Sequence, residues 1–285
     1  MSDSGGSFKT WDEAVAWLRE QPGQQSLVRD SYYDDPLVDA AERYYHSPEW
    51  QAIGQILRDR SGHALDVGAG RGIASYALAR DGFSVISLEP DTSNLVGTGA
   101  IAGLAKDTGL PIVPVSDVSE SLPFDTAQFD VVFARAVLHH MQDLETGCRE
   151  LARVLKPGGL LLAVREHVIS RAGDLPVFLQ NHPLHRLYGG ENAYLLNQYR
   201  RALDVAGLRI VQQLGSLESP INYFPQTPET LRSGLVGRVG LAPGISSVIA
   251  SILSYEPIFG MTLNILSKID TRPGRLYSFV CEKKL

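Results

Sequence analysis

Eight residues, Leu65-Asp66-Val67-Gly68-Ala69-Gly70-Arg71-Gly72, constrain this chain more than any other stretch of it. A short apolar run carries an acid, glycines follow at every second position, and a helical pattern runs from Ile73 to Arg80. Glycine allows backbone conformations closed to other residues and lets the main chain touch a ligand. The helix start beyond it offers unpaired N–H groups and a positive dipole end. Strand, glycine turn and helix in that order belong at the carboxyl edge of a parallel sheet.

The following hundred residues repeat the alternation. Candidate strands at 64–67, 84–88, 112–115, 129–134 and 160–165 are separated by candidate helices at 73–80, 93–106 and 144–155. Such alternation specifies an α/β fold, a mostly parallel sheet with helices on both faces. The third helix has its apolar stripe at Leu144, Cys148, Leu151, Ala152 and Leu155, with Asp143 to cap it and Pro157-Gly158-Gly159 to end it. A further helix at 198–206 and strands at 208–214 and 276–282 complete the pattern.

Residues 1–60 read as an N-terminal helical segment and 61–285 as the main domain. In the former, Thr10 and Glu13 make a capping-box pair, and Ser47-Pro48-Glu49 starts a second helix. Tyr32, Tyr33, Tyr44 and Tyr45 either pack or include one ring that closes over a ligand. Proline- and glycine-rich excursions at 168–196 and 215–274 read as insertions forming one lid. The apolar stretch 241–255 within the second is too short for a membrane span. It is either a buried lid helix or a surface for lipid contact.

A formal charge of −6 argues against a general nucleic-acid binder. Cys148 and Cys281 have neither metal-ligand spacing nor a disulfide framework, and Met1–Gly6 shows no secretory pattern, so a cytoplasmic protein is expected.

The acids narrow the ligand. A dinucleotide turn wants glycine or alanine where Ile73 stands. Asp66 would repel phosphate but attract an amino group, directly or through water. Glu89, in Leu88-Glu89-Pro90, can accept both hydroxyls of a ribose. Asp117, just past the third strand, can accept from an adenine amine. Three acids around a glycine turn suit an ammonium, a ribose and an adenine without phosphate; a solvated strand-end acid is the plain alternative for Asp66 or Glu89.

These residues resemble the class I S-adenosylmethionine-dependent methyltransferases. Leu65–Gly72 is similar to their first motif and Val85–Pro90 to their second. The stretch from Asp117 through Leu122-Pro123-Phe124 to Phe129-Asp130 resembles their third-strand region. Glu150–Arg165, with Arg153-Val154-Leu155-Lys156-Pro157-Gly158-Gly159, resembles their fifth-strand block. The likeness covers roughly residues 61–167 in order. It implies a Rossmann-like class I methyltransferase fold with a mostly parallel seven-stranded sheet, and S-adenosyl-L-methionine as cofactor. It further implies that Gly68 and Gly70 pass under the methionine part, with Asp66 near its ammonium. Glu89 would take the ribose, Asp117 the adenine amine, and Pro90 and Val118 the ring faces. Ala134 and Arg135 would flank the sulfonium.

Methyl transfer needs alignment of a nucleophile and exclusion of water, and a hydroxyl acceptor also needs a base. His139 and His140 follow the fourth strand, and on a helix only one of them would face the cleft. Glu166 and His167, at the end of the fifth, are further candidates for base or acceptor ligand. The stretch His182–Tyr194 concentrates donors, acceptors and aromatic faces suited to a polar or sugar-like acceptor. His182, His185 and Glu191 match no established ligand spacing, so no metal is expected. The expectation is thus O-methylation of a small molecule. An RNA or protein methyltransferase, a non-catalytic binder of the same cofactor and a nicotinamide-dependent reductase are the rivals.

Overall fold

Along the central strand of the sheet, Val131 and Phe133 face one layer of helices while Val132 and Ala134 face the other. A strand buried on both sides requires that arrangement. The computed structural model describes residues 10–119, 121–182, 185, 188–239 and 243–284, without the side chains of 238, 239 and 243–245. Met1–Gly6, and residues 183–184, 186–187 and 241–242 of the stretches named above, lie outside the described residues.

The strands are β1 (His63–Val67), β2 (Ser84–Leu88), β3 (Ile112–Val115), β4 (Phe129–Arg135), β5 (Leu155–Ile169), β6 (Tyr194–Leu195), β7 (Leu208–Leu214) and β8 (Arg275–Lys283). They run in the order β3-β2-β1-β4-β5-β8-β7, with β6 pairing β5 off this path. Every pairing is parallel except those that β8 makes with β5 and β7. The sheet therefore has eight strands where the sequence resemblance implied seven. The addition, β6, has two residues and no period to read.

From β1 the chain moves outward to β2 and β3, then returns beside β1 as β4. This reversal opens a crevice at the carboxyl ends of the strands. On one face pack α3 (Leu37–Tyr45), α4 (Pro48–Leu57), α5 (Ile73–Arg80) and α6 (Thr98–Thr108), preceded by α1 (Trp11–Glu20) and α2 (Gln25–Asp30). Tyr44, Trp50 and Ile53 from the N-terminal helices share that core with Tyr76 and Phe133. Each such aromatic contributes about 2–3 kcal/mol of burial. On the other face lie α7 (Leu144–Val154) and α9 (Leu196–Val205).

Local signals account for most helix ends. Thr10 and Glu13 form the expected reciprocal cap on α1, and Asp143 accepts the Thr146 N–H at 3.0 Å on α7. The helix expected from residue 93 starts only at Thr98. Asp91 accepts from the Ser93 N–H and Ser93 from the Val96 N–H, so these side chains hold turns instead. Pro157-Gly158-Gly159 does not separate helix from strand. The register jumps from Phe129↔Leu155 to Val131↔Leu160, so the triplet bulges within β5.

The two excursions build separate small cores rather than one. The first holds α8 (Leu175–Asn181), with Phe178 against Ile169 and Ala193. The second holds α10 (Pro220–Tyr223), α11 (Pro228–Val239), α12 (Pro243–Leu253) and α13 (Glu256–Ile269), with Leu253, Phe259 and Leu263 clustered. Val248, Ile252, Met261 and Ile265 on these helices remain exposed. Among the described residues no single helix is long and apolar enough to cross a membrane; the pair 246–253 and 256–269 passes on length and composition only when joined, with a 99° bend.

Candidate active site

Gly68, Gly70 and Gly72 all adopt positive φ, at +62°, +55° and +82°. A Cβ on Gly68 would stand 2.6 Å from a methyl of Val137, whereas one on Gly70 would meet nothing within 4 Å. Gly68 is thus the packed side of the turn and Gly70 the open side. Gly68→Ala is expected to lower stability by about 2–3 kcal/mol in urea unfolding, and Gly70→Ala by only the backbone cost of about 1 kcal/mol.

Arg71 locks this turn to the N-terminal segment. Its guanidinium donates to the carbonyls of Tyr32 (3.0 Å) and Asp34 (2.8 Å) and pairs with Asp35. Tyr32 and Tyr44 are core residues, and Tyr45 bonds Asp81. Tyr33 differs. Burial raises its pKa, with smaller influences from the charges of Glu191, Arg135, Arg71 and Glu89.

Glu89 meets the turn directly. One carboxylate oxygen accepts the Gly70 N–H at 2.8 Å, the other the Asp91 N–H at 3.1 Å, and burial raises the group's pKa. Pro90 follows it, exposed. Asp117 is half-buried past β3 and accepts the N–H of Val118, whose side chain is exposed. Asp66 lies differently from the expectation. It is buried and accepts from the Ser75 hydroxyl at 2.5 Å, which in turn accepts from Ser87 at 2.7 Å. Burial lifts its pKa to about 7. This acid supports the turn from beneath instead of facing the cleft.

The end of β4 also departs from expectation. Ala134 is fully buried in the core beneath α7. Arg135 does not extend toward the crevice, because Glu49 of α4 holds it at 2.6 and 3.0 Å. Arg165 approaches the same carboxylate at 3.4 Å and donates to the carbonyls of Ile221 and Phe224. Burial pushes the Glu49 carboxyl up, but Arg135 and Arg165 outweigh it and hold the pKa below the ordinary value.

Beyond β4, residues 138–140 form a short 3-10 turn. Glu166 organises it and is wholly buried. Its oxygens accept the N–H groups of Val137, Leu138 and His139 at 3.0–3.2 Å and meet His139 Nδ1 at 2.8 Å. Glu166 cannot serve as base or acceptor ligand, since both oxygens are committed to this turn. The 3-10 geometry sets the two imidazoles 4.2 Å apart, and both reach one carboxylate. Glu191 Oε2 stands 3.5 Å from His139 Nε2 and 3.9 Å from His140 Nε2. His182 Nδ1 lies 3.8 Å from the other Glu191 oxygen. His167 gives Nδ1 to the Gly274 carbonyl at 2.9 Å, and its ring contacts that of His139.

These groups titrate apart. Burial opposes the charged form of His139, yet the neighbouring Glu166 and Glu191 carboxylates raise its pKa to about 9. Burial, then the charge of His139, lowers His140 and takes His167 to about 3. Glu191, despite burial, falls to about 2 beside its histidines. The His140 side chain is 43% exposed, against 1% for His139, so it is the more accessible imidazole of the two. A groove of about 850 Å³ between α4, α10 and β7–β8 contains none of these groups.

The geometry agrees with comparisons to known proteins. Residues 65–163 match the family profile described as a methyltransferase domain. The ubiquinone biosynthesis O-methyltransferase of Rhizobium etli (strain CIAT 652) is 28% identical over 162 residues, 55% of this chain and 64% of that protein. The protein of the same name from Rhizobium johnstonii is 27% identical over 199 residues, 68% of this chain and 76% of that one. The chain thus spans a little under two thirds of the first relative. Among solved structures, geranyl diphosphate C-methyltransferase from Streptomyces coelicolor A3(2), in complex with S-adenosyl-L-homocysteine, superposes with a TM-score of 0.57 at 16% identity, covering 89% of this chain and 87% of that one. The cyclase SpnF gives 0.55 at 21% identity, covering 86% and 82%. Residues 65–163 thus match a methyltransferase domain, set in a fold shared with methyltransferases of known structure.

Proposed function

We propose that the protein transfers a methyl group from S-adenosyl-L-methionine to an oxygen of a small polar acceptor. The observation that carries this reading is the pairing of Glu89 with the Gly70 N–H at the switch point, beside a histidine–carboxylate cluster on the neighbouring strand ends. In this reading the glycine turn backs the methionine part, and Glu89 accepts from the ribose. Asp117 and Val118 receive the adenine, with Pro90 against it. Bound there, the cofactor would supply its methyl group at the β4–β5 edge. The acceptor would lie near Glu191 and Tyr33. His140, its Nδ1 bonded to the Gly190 carbonyl at 3.0 Å, takes the hydroxyl proton on Nε2 as the oxygen attacks. The names of the Rhizobium relatives support oxygen as the acceptor atom. The exposed apolar face of α12–α13 supports a lipid surface as a further partner.

Calorimetry with S-adenosyl-L-methionine tests the cofactor assignment. Glu89→Ala is expected to weaken binding 10- to 100-fold, as loss of a charged hydrogen-bonding partner does. An unchanged dissociation constant would remove Glu89 from the ribose. Methyl-labelled cofactor incubated with cell extract, followed by mass spectrometry of the labelled product, identifies the acceptor.

A further inference from the structure

We propose that His139, His167 and Glu191 bind a divalent transition-metal ion at the carboxyl edge of β4 and β5. One ligand atom from each lies within 4.8 Å of the others. The His139–Glu191 edge is 3.5 Å, close to the roughly 3.4 Å between two ligands of a tetrahedral ion bound at 2.0–2.2 Å. Closing the third ligand takes a side-chain movement of about 1 Å.

The ring orientations are those of ligands. His139 directs Nδ1 to the Glu166 carboxylate and His167 directs Nδ1 to the Gly274 carbonyl. A histidine that ligates through Nε2 commonly gives its other N–H to a carboxylate or carbonyl, which fixes the tautomer. The carboxylate supplies a second, independent sign. The Glu191 side chain is 10% exposed, and its buried Oε2 has no hydrogen-bond partner. An ordinary ion pair with a protonated His139 satisfies one ring only. It leaves the His167 ring, whose Nδ1 goes to Gly274, within 4.8 Å of the carboxylate but without a share in it. A cation satisfies all three.

Two imidazoles and one carboxylate favour Zn²⁺, Co²⁺ or Mn²⁺ over the oxygen-seeking Mg²⁺ and Ca²⁺. Three protein ligands leave an open position. If the methyl-transfer reading holds, that position takes the acceptor hydroxyl and lowers its pKa.

Co²⁺ titration of chelator-treated protein, followed by visible absorption, tests the site on the wild type alone. One equivalent giving a saturable d–d band is expected, and no band overturns the proposal. Zn²⁺ calorimetry on His167→Gln and Glu191→Gln should show at least a 100-fold loss of affinity, with Zn²⁺ raising the Tm of the wild type but not of either variant. Equal affinity in wild type and both variants would also overturn it. S-adenosyl-L-methionine binding, measured on the same metal-free preparation, separates the two readings: cofactor binding without metal binding sinks only the ion, and the reverse sinks only the transferase.

Discussion

Glu49→Ala is expected to destabilise the fold by about 3–5 kcal/mol in urea unfolding, the largest single effect foreseen for this chain. Glu49 is fully buried, and it neutralises Arg135 from β4 and Arg165 from β5 while accepting from the Tyr44 hydroxyl at 3.3 Å. Its removal strands two guanidinium groups, each less than a quarter exposed, with no other carboxylate paired to either among the described residues. Glu49→Gln keeps the volume and one acceptor oxygen, so it should recover part of the loss but not the charge. Equal stability of both variants and the wild type would show that solvent reaches the arginines and that the network contributes little.

Glu166→Ala should cost a similar amount, about 3–5 kcal/mol, for a different reason. Three backbone N–H groups and the His139 ring depend on this buried carboxylate, and each donor left unsatisfied costs about 1–3 kcal/mol less whatever relaxation recovers. The loss falls on the 137–140 turn, so methyl transfer should drop by orders of magnitude while the Glu89 end of the crevice stays built. Cofactor calorimetry alongside turnover separates these. Loss of both would mean that the turn and the glycine loop collapse together.

The parts of this molecule legible in its sequence are those encoded locally. The glycine turn, the strand–helix alternation, the caps at Thr10 and Asp143 and the acid ending β2 each depend on neighbours within a few positions. The Glu49–Arg135 pair joins residues 86 apart, and nothing near either one announces the other. Glu49 reads as an ordinary first-turn acid, and Arg135 as a free strand-end cation. Arg71 was equally silent, since its partners are the carbonyls of Tyr32 and Asp34.

Glu166 shows a subtler failure. Leu160, Leu162 and Val164 face the α5 side of the sheet, and simple alternation would put residues 166 and 168 there too. Arg165, at φ +62°, forms a bulge where the register against β8 slips between Ala163 and Glu166. Beyond it Val168 joins the opposite core and Glu166 swings under the 137–139 turn. A one-residue slip exchanges the faces of a strand, and no composition signal marks this one.

The attachment of Arg71 to the Tyr32–Asp35 loop has a dynamic corollary. A ligand that stiffens the glycine turn is expected to stiffen residues 32–35 as well, because the Arg71 guanidinium joins the two. Amide-exchange rates in residues 32–35 and the occupancy of the cradle therefore report on a single equilibrium. Slower exchange at residues 32–35 on adding S-adenosyl-L-methionine is the expected result, and unchanged rates would show that turn and loop move independently.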